Sequence, residues 1–265
     1  MGFLPLGLSM QGCRHGGSSD LAQLPQVGLA DTYQKNDSLM THTGHIPAEW
    51  LLGHIEPASD PRMRRIDPVW ASREGMFMHH EAYEAFLQMA EAARKDGIHL
   101  RIVSAARSFA HQKRIWEDKW HGRRVLYGGV YATDICDPND RAREILRFSA
   151  MPGTSRHHWG TDIDLNSLDN AWFASGQGLR LYTWMQENAA RFGFCQPYTP
   201  RGQNRGGGYE EEKWHWSYKP IASLYLQAWE NELSEHDIRG FDGWETAVNL
   251  KVVGDYVLGV DPSCL

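Results

Sequence analysis

The chain has 265 residues, enough for one large domain or two small ones. Hydrophobic residues make up 42% and charged residues 23%, the balance of a globular protein able to bury a core. Lys plus Arg number 27 against 33 Asp plus Glu, and a formal charge of −6 argues against a protein built to grip nucleic acid.

The opening MGFLPLGLSMQGC carries a short apolar run before Cys13, without a basic start and interrupted by Pro5. Residues 1–25 therefore read as a flexible leader or the remnant of an export signal. No run approaches the ~20 apolar residues that a membrane helix needs. Residues 20–70 are mixed and Pro-containing, which suggests an extended wrapping segment. A helix is predicted over HHEAYEAFLQMAEAARKDG, where Ala82, Phe86, Met89, Ala90 and Ala93 recur at helical spacing and Gly97 is a stop. IHLRIVS alternates as a strand, and Ser108 is placed to cap a second helix through Gln112 to about Trp120. Residues 121–140 look like a loop-rich insertion, followed by a short helix over 141–148.

Thr161 to Leu165 alternates apolar and acidic residues, the pattern of a half-buried strand. A third helix is predicted over 179–191, ending before Gly193. RGQNRGGGYE reads as a mobile loop, WHWSY as a strand, 222–232 as a helix and 256–260 as a last strand. Helices segregated from short strands, with no repeated βαβ unit, imply α+β: a single domain with a central, mainly antiparallel sheet flanked by helices. Cys13, Cys136, Cys195 and Cys264 form no CxxC pair, so a structural metal site on cysteine is not expected. Buried free thiols are the default, with a Cys136–Cys195 bridge conceivable in an exported protein.

The chemistry concentrates in TSRHHWGTDIDLN, which sets two histidines and two aspartates around Gly160. On a strand Asp162 and Asp164 share one face while Ile163 and Leu165 point into a core. Imidazole and carboxylate are the donors Zn²⁺ accepts, and a catalytic zinc keeps three protein ligands and an open position. His215, in EEEKWHWSY, can supply the missing histidine, and Glu212 three residues earlier is a carboxylate free to take a proton from water.

Together these segments resemble the VanY-type D,D-carboxypeptidases, relatives of the D-Ala-D-Ala dipeptidases and the hedgehog domain. The resemblance rests on SxHxxGxxxD (Ser155, His157, Gly160, Asp164) and ExWH (Glu212, Trp214, His215). It extends to SAARSFAHQ and WMQENAARFGF, covering Phe77 to Tyr218. It implies one Zn²⁺ per chain on His157, Asp164 and His215, on the sheet, with Glu212 as general base. It implies Arg107 as the cation facing substrate, holding a carboxylate or stabilising a tetrahedral oxyanion, tasks that suit a permanently charged fork. Gln112, Ser155 and Trp214 are the implied substrate-side contacts. Residues 26–265 would then be one zinc peptidase domain with a C-terminal extension, acting on peptidoglycan stem peptides in the cell envelope or periplasm.

The family usually has Ala where this chain has Asp162, which could back a ligand histidine or compete for the metal. His158 is not expected to be a ligand, because successive strand side chains diverge. Trp159 could line the cleft or pack, whereas Trp216 is expected to pack. Within enzymes the alternative is an endopeptidase cutting an internal stem or cross-bridge bond. A non-catalytic zinc module is disfavoured by Glu212, and a non-haem iron oxygenase by the absence of a close His-x-Asp pair.

Overall fold

The computed structural model describes residues 45–202 and 205–265. The leader expected over 1–25 lies outside the described residues. The expected wrapping segment carries two regular pieces: a helical turn, α1 (Ala48–Leu51), and β1 (Met63–Arg65), which pairs antiparallel with β2 (Phe77–His79). α2 (His80–Lys95) follows β2 directly, and its buried stripe is the predicted one with Tyr83 added. Gly97, at φ +74°, turns the chain out of that helix in a left-handed conformation.

Ile98, Leu100 and Ile102 are buried while His99 and Arg101 are exposed, as the alternation required. Only Ile102–Ser104 forms strand β3, because its pairing with β4 (Asp162–Leu165) is short and irregular. β5 (Phe194–Cys195) and β6 (His215–Tyr218) complete a four-stranded antiparallel sheet in the order β3-β4-β6-β5. This is the expected α+β architecture.

Strand register creates the functional face. Asp162 stands opposite Ser217, Ile163 opposite Trp216 and Asp164 opposite His215. Directly opposed antiparallel residues point the same way, so one face carries Asp162, Asp164, His215 and Ser217. The other presents Ile163, Leu165 and Trp216, which join Phe86 and Met89 of α2 and Leu181 and Met185 of α5 (Gly176–Asn188) in one apolar core. A second core gathers Trp116 of α3 (Phe109–Trp120), Ile145 of α4 (Pro138–Ile145) and Trp229 of α6 (Lys219–Glu232). All four β4 residues are buried, not the expected half, because the polar face is itself covered.

Several boundaries differ from the sequence reading. α4 starts at Pro138 because Asp137 caps it, accepting from the Asn139 and Asp140 amides at 2.8 and 3.0 Å. α5 starts three residues early and passes into a tighter turn at Ala189–Phe192. The strand expected over 256–260 is a π-helical turn, Val253–Val257, closed by the Leu258 amide on the Val253 carbonyl at 2.9 Å. Its buried residues Val253 and Val257 lie four apart, a helical spacing that outweighs the apparent alternation.

The cysteine expectation is also corrected. Cys195 of β5 bonds Cys264, tying the sheet edge to the chain end, and Cys136 is free but exposed. Cys13 lies outside the described residues. The glycine-rich loop after Arg201 is fastened where described: Arg205 is buried and donates to the Thr199 and Gly207 carbonyls at 2.9 and 2.8 Å. Among the described residues no helix is long and apolar enough to cross a membrane.

Candidate metal centre and cleft

His157 reaches the sheet from a short turn, Arg156–Trp159, that Gly160 ends at φ +70°. A Cβ on Gly160 would lie 2.5 Å from the Met63 sulfur and 2.9 Å from the His79 amide, so glycine is required there for backbone and space alike. The turn aims His157 at the strand pair bearing Asp164 and His215. The donor atoms of these three residues lie within 4.8 Å of one another.

Proton accounting shows what the cluster lacks. His157 Nδ1 can only donate to the Ala105 carbonyl, 3.0 Å away, which leaves its Nε2 lone pair 3.3 Å from Asp164 Oδ2. His215 Nε2 donates to Asp162 Oδ1 at 2.9 Å, which leaves Nδ1 3.1 Å from Asp164 Oδ1. That Oδ1 is buried and has no hydrogen-bond partner. The three residues are only 3–5% exposed, so bulk water cannot satisfy them. Three converging acceptors without a shared proton call for a cation, and imidazole, imidazole and carboxylate fit zinc.

The electrostatics agree. Burial disfavours charge on His215, yet the surrounding carboxylates of Asp162, Asp164 and Glu212 hold its pKa well above the ordinary value. In other words, the carboxylates draw in a proton where a metal ion could sit. Burial, assisted by Arg107, lowers His157 to about 4 and keeps that ring neutral, as a ligand must be.

Glu212 sits beside this cluster, Oε2 3.4 Å from His215 Nδ1. Its burial raises its pKa, against the stabilising effect of His215. Arg107 is clamped by its backbone: its amide donates to the His157 carbonyl at 3.0 Å, and its carbonyl accepts from His158 Nδ1 at 2.7 Å. His158 also accepts the Gly153 amide on Nε2 at 3.1 Å, so both ring nitrogens are used and it is not free for a metal. A Cβ on Gly53 would meet the His158 ring at 2.3 Å.

The Arg107 guanidinium gives Nη1 to Gln112 Oε1 at 3.0 Å, and Gln112 is fixed in turn by the Ala150 carbonyl at 2.8 Å. Arg107 Nε is buried without a partner, and no carboxylate lies within ion-pair distance of this guanidinium among the described residues. Its charge is therefore available to a ligand. Arg107, Gln112, Ser155, Trp214 and the metal cluster all line one cleft of about 660 Å³. Trp159 instead packs on Tyr225, ring centroids 5.6 Å apart, and Trp216 lies in the core.

Sequence reasoning missed four cleft residues. Arg156, buried inside the motif, donates to Asp162 at 2.9 Å and to Ser217 at 2.6 Å. Tyr198 places its ring 4.8 Å from that of His215, and Tyr209 and Lys119 line the same cleft. A charged residue inside an otherwise buried motif was a usable signal for Arg156. The other three arrive from loops and a helix end whose placement is tertiary.

Comparison with known proteins identifies the family. Residues 75–221 match the family profile VanY, D-alanyl-D-alanine carboxypeptidase. A curated relative, the D-alanyl-D-alanine carboxypeptidase of Enterococcus faecalis (strain ATCC 700802 / V583), is 30% identical over 131 residues. That match takes in 49% of this chain and 44% of the relative's length. Among solved structures, the vancomycin-resistance D,D-pentapeptidase VanY in complex with Zn(II) is similar with a TM-score of 0.47 and 23% identity. It covers 70% of this chain and 93% of its own. VanYB in complex with D-alanine-D-alanine gives 0.48 and 22%, over 74% of this chain and 92% of its own.

Proposed function

Because the chain belongs to the VanY D-alanyl-D-alanine carboxypeptidase family, we propose that it is a zinc-dependent D,D-carboxypeptidase releasing the terminal D-Ala of peptidoglycan stem peptides. The observation that carries this reading is the meeting of His157, Asp164 and His215 beside a buried carboxyl, Glu212, and a guanidinium, Arg107, that has no ion-pair partner among the described residues.

His157 Nε2, His215 Nδ1 and an Asp164 oxygen would hold the ion. Bound there, zinc lowers the pKa of its water to about 7 and polarises the scissile carbonyl. Glu212 takes the proton of the attacking water and passes it to the departing amine. The raised pKa suits this work, since a base must be ionised to accept the proton and acidic enough afterwards to return it. Arg107, held by Gln112 and the His158 bond, receives the substrate's terminal carboxylate, and its fork matches two oxygens at once. Trp214 and Ser155 shape the wall against which the peptide lies. Glu212 favours a hydrolase over a binding module, which has no use for a water-activating carboxylate.

The Cys195–Cys264 disulfide supports action in an oxidising compartment, the cell envelope or periplasm. The reading is tested by following D-Ala release from pentapeptide before and after chelation and on return of zinc. Release that stops with chelator and resumes with zinc supports it; release indifferent to both refutes it.

A further inference from the structure

Lys119 lies seven residues after Gln112 on α3, so the two occupy one helix face about 10 Å apart along the axis. Both line the cleft. The Lys119 ammonium donates to Ser149 Oγ, and among the described residues no carboxylate lies within ion-pair distance of it. Arg124 lines the same wall, likewise without an ion-pair partner among the described residues. In a chain of net charge −6, such partnerless cations on one cleft wall point to an anionic ligand. Ser149 is buried, and with its hydroxyl holding Nζ the cation is positioned before any ligand arrives.

We propose that Lys119, oriented by Ser149, binds a second carboxylate of the substrate, so that the cleft selects peptides carrying an internal free carboxylate besides the terminal one. This rests on the peptidase reading above and names the substrate class of that same site. With the terminal carboxylate at Arg107 beside Gln112, the second falls roughly 10 Å away, the span of about three extended residues. The side chain of the third residue from the peptide's end is therefore the group Lys119 meets. Burial, and then the neighbouring Arg124, pulls the Lys119 ammonium down to about 8, with Glu212 opposing. A bound carboxylate would supply the counter-charge the site lacks.

The experiment compares two pentapeptides that differ only at the third residue, whose side chain ends in a carboxylate or in its carboxamide. On zinc-loaded protein the acid should have a KM at least tenfold lower than the amide. Lys119→Met should bring the two KM values together, Lys119→Arg should keep most of the gap, and Ser149→Ala should narrow it. Equal KM values for the pair on the unsubstituted protein, or an undiminished preference in Lys119→Met, would overturn the proposal. Calorimetric binding of the same pair to Glu212→Gln protein reads the preference without turnover. If neither peptide is hydrolysed, the peptidase reading fails, and the binding ratio alone still decides the role of Lys119.

Discussion

Asp162 Oδ1 accepts the Nε2–H of His215 at 2.9 Å, on the side of the ring away from Asp164. Of the two roles that the sequence left open for Asp162, backing a ligand histidine or competing for the metal, this contact fits the first. Asp164 faces the donor cluster; Asp162 stands behind it, also taking hydrogen bonds from Arg156, Thr161 and Ser217. Replacing Asp164 with Ala should therefore abolish zinc binding. Asp162→Asn should retain the ion but weaken its affinity by about 10–100-fold. Asp162→Ala, which strands the buried Arg156 charge, should also destabilise the fold by about 3–5 kcal/mol. Zinc titration with thermal denaturation checks all three. A site emptied by Asp162→Asn but filled in Asp164→Ala would reverse the assignment.

Glu212 contacts the cluster only through His215, so its removal should spare the metal. Glu212→Gln is expected to bind zinc normally and melt within a few degrees of the parent. Its turnover should fall about 10²–10⁴-fold, the usual worth of general-base assistance. Near-normal turnover with intact zinc would remove Glu212 from the role.

Arg107 offers a separate test of where the substrate ends. A C-terminal amide forfeits a charge-assisted bond worth about 1.5–3 kcal/mol, so hydrolysis should drop roughly 10–150-fold relative to the free acid. Arg107→Lys should recover little, because an ammonium lacks the planar fork that Gln112 orients. Steady-state kinetics on the paired peptides decide it. Equal rates would make Arg107 an oxyanion stabiliser and favour the endopeptidase reading.

His79 predicts an acid limb to stability. It is 2% exposed, and burial, then His80 and Arg62, lower its pKa from 6.5 to about 3, with Asp60 opposing. The folded ring stays neutral where the unfolded ring takes a proton. Its contribution is therefore complete above pH 6.5 and is lost as pH falls toward 3, by up to about 1.4 kcal/mol per unit. His79→Gln should flatten the fall in melting temperature between pH 6.5 and 4. An unchanged slope would contradict the assignment.

Local signals made much of this legible. The stripe of α2, the Ser108 cap and the alternating β4 can be read from neighbours in sequence, and the two histidine segments name the cluster. What the sequence withheld depends on register and on contacts distant along the chain. What Asp162 does beside the implied ligand Asp164 emerges only when β6 is laid beside β4 and its Oδ1 meets the far nitrogen of His215. The Cys195–Cys264 pair spans 69 residues, and no spacing argument selects it. The turn at Val253–Val257 defeated a short alternating pattern because burial there follows packing on the second core. Lys119 gave no signal, since a lysine near a helix end is ordinarily solvated.

The most direct test is mass spectrometry of purified pentapeptide muropeptides after digestion by the zinc-loaded protein. Each stem should lose a single terminal D-Ala, with the rest of the peptide and every cross-bridge intact. Stems left whole, or cut at an internal bond while the terminal D-Ala stays attached, would contradict it.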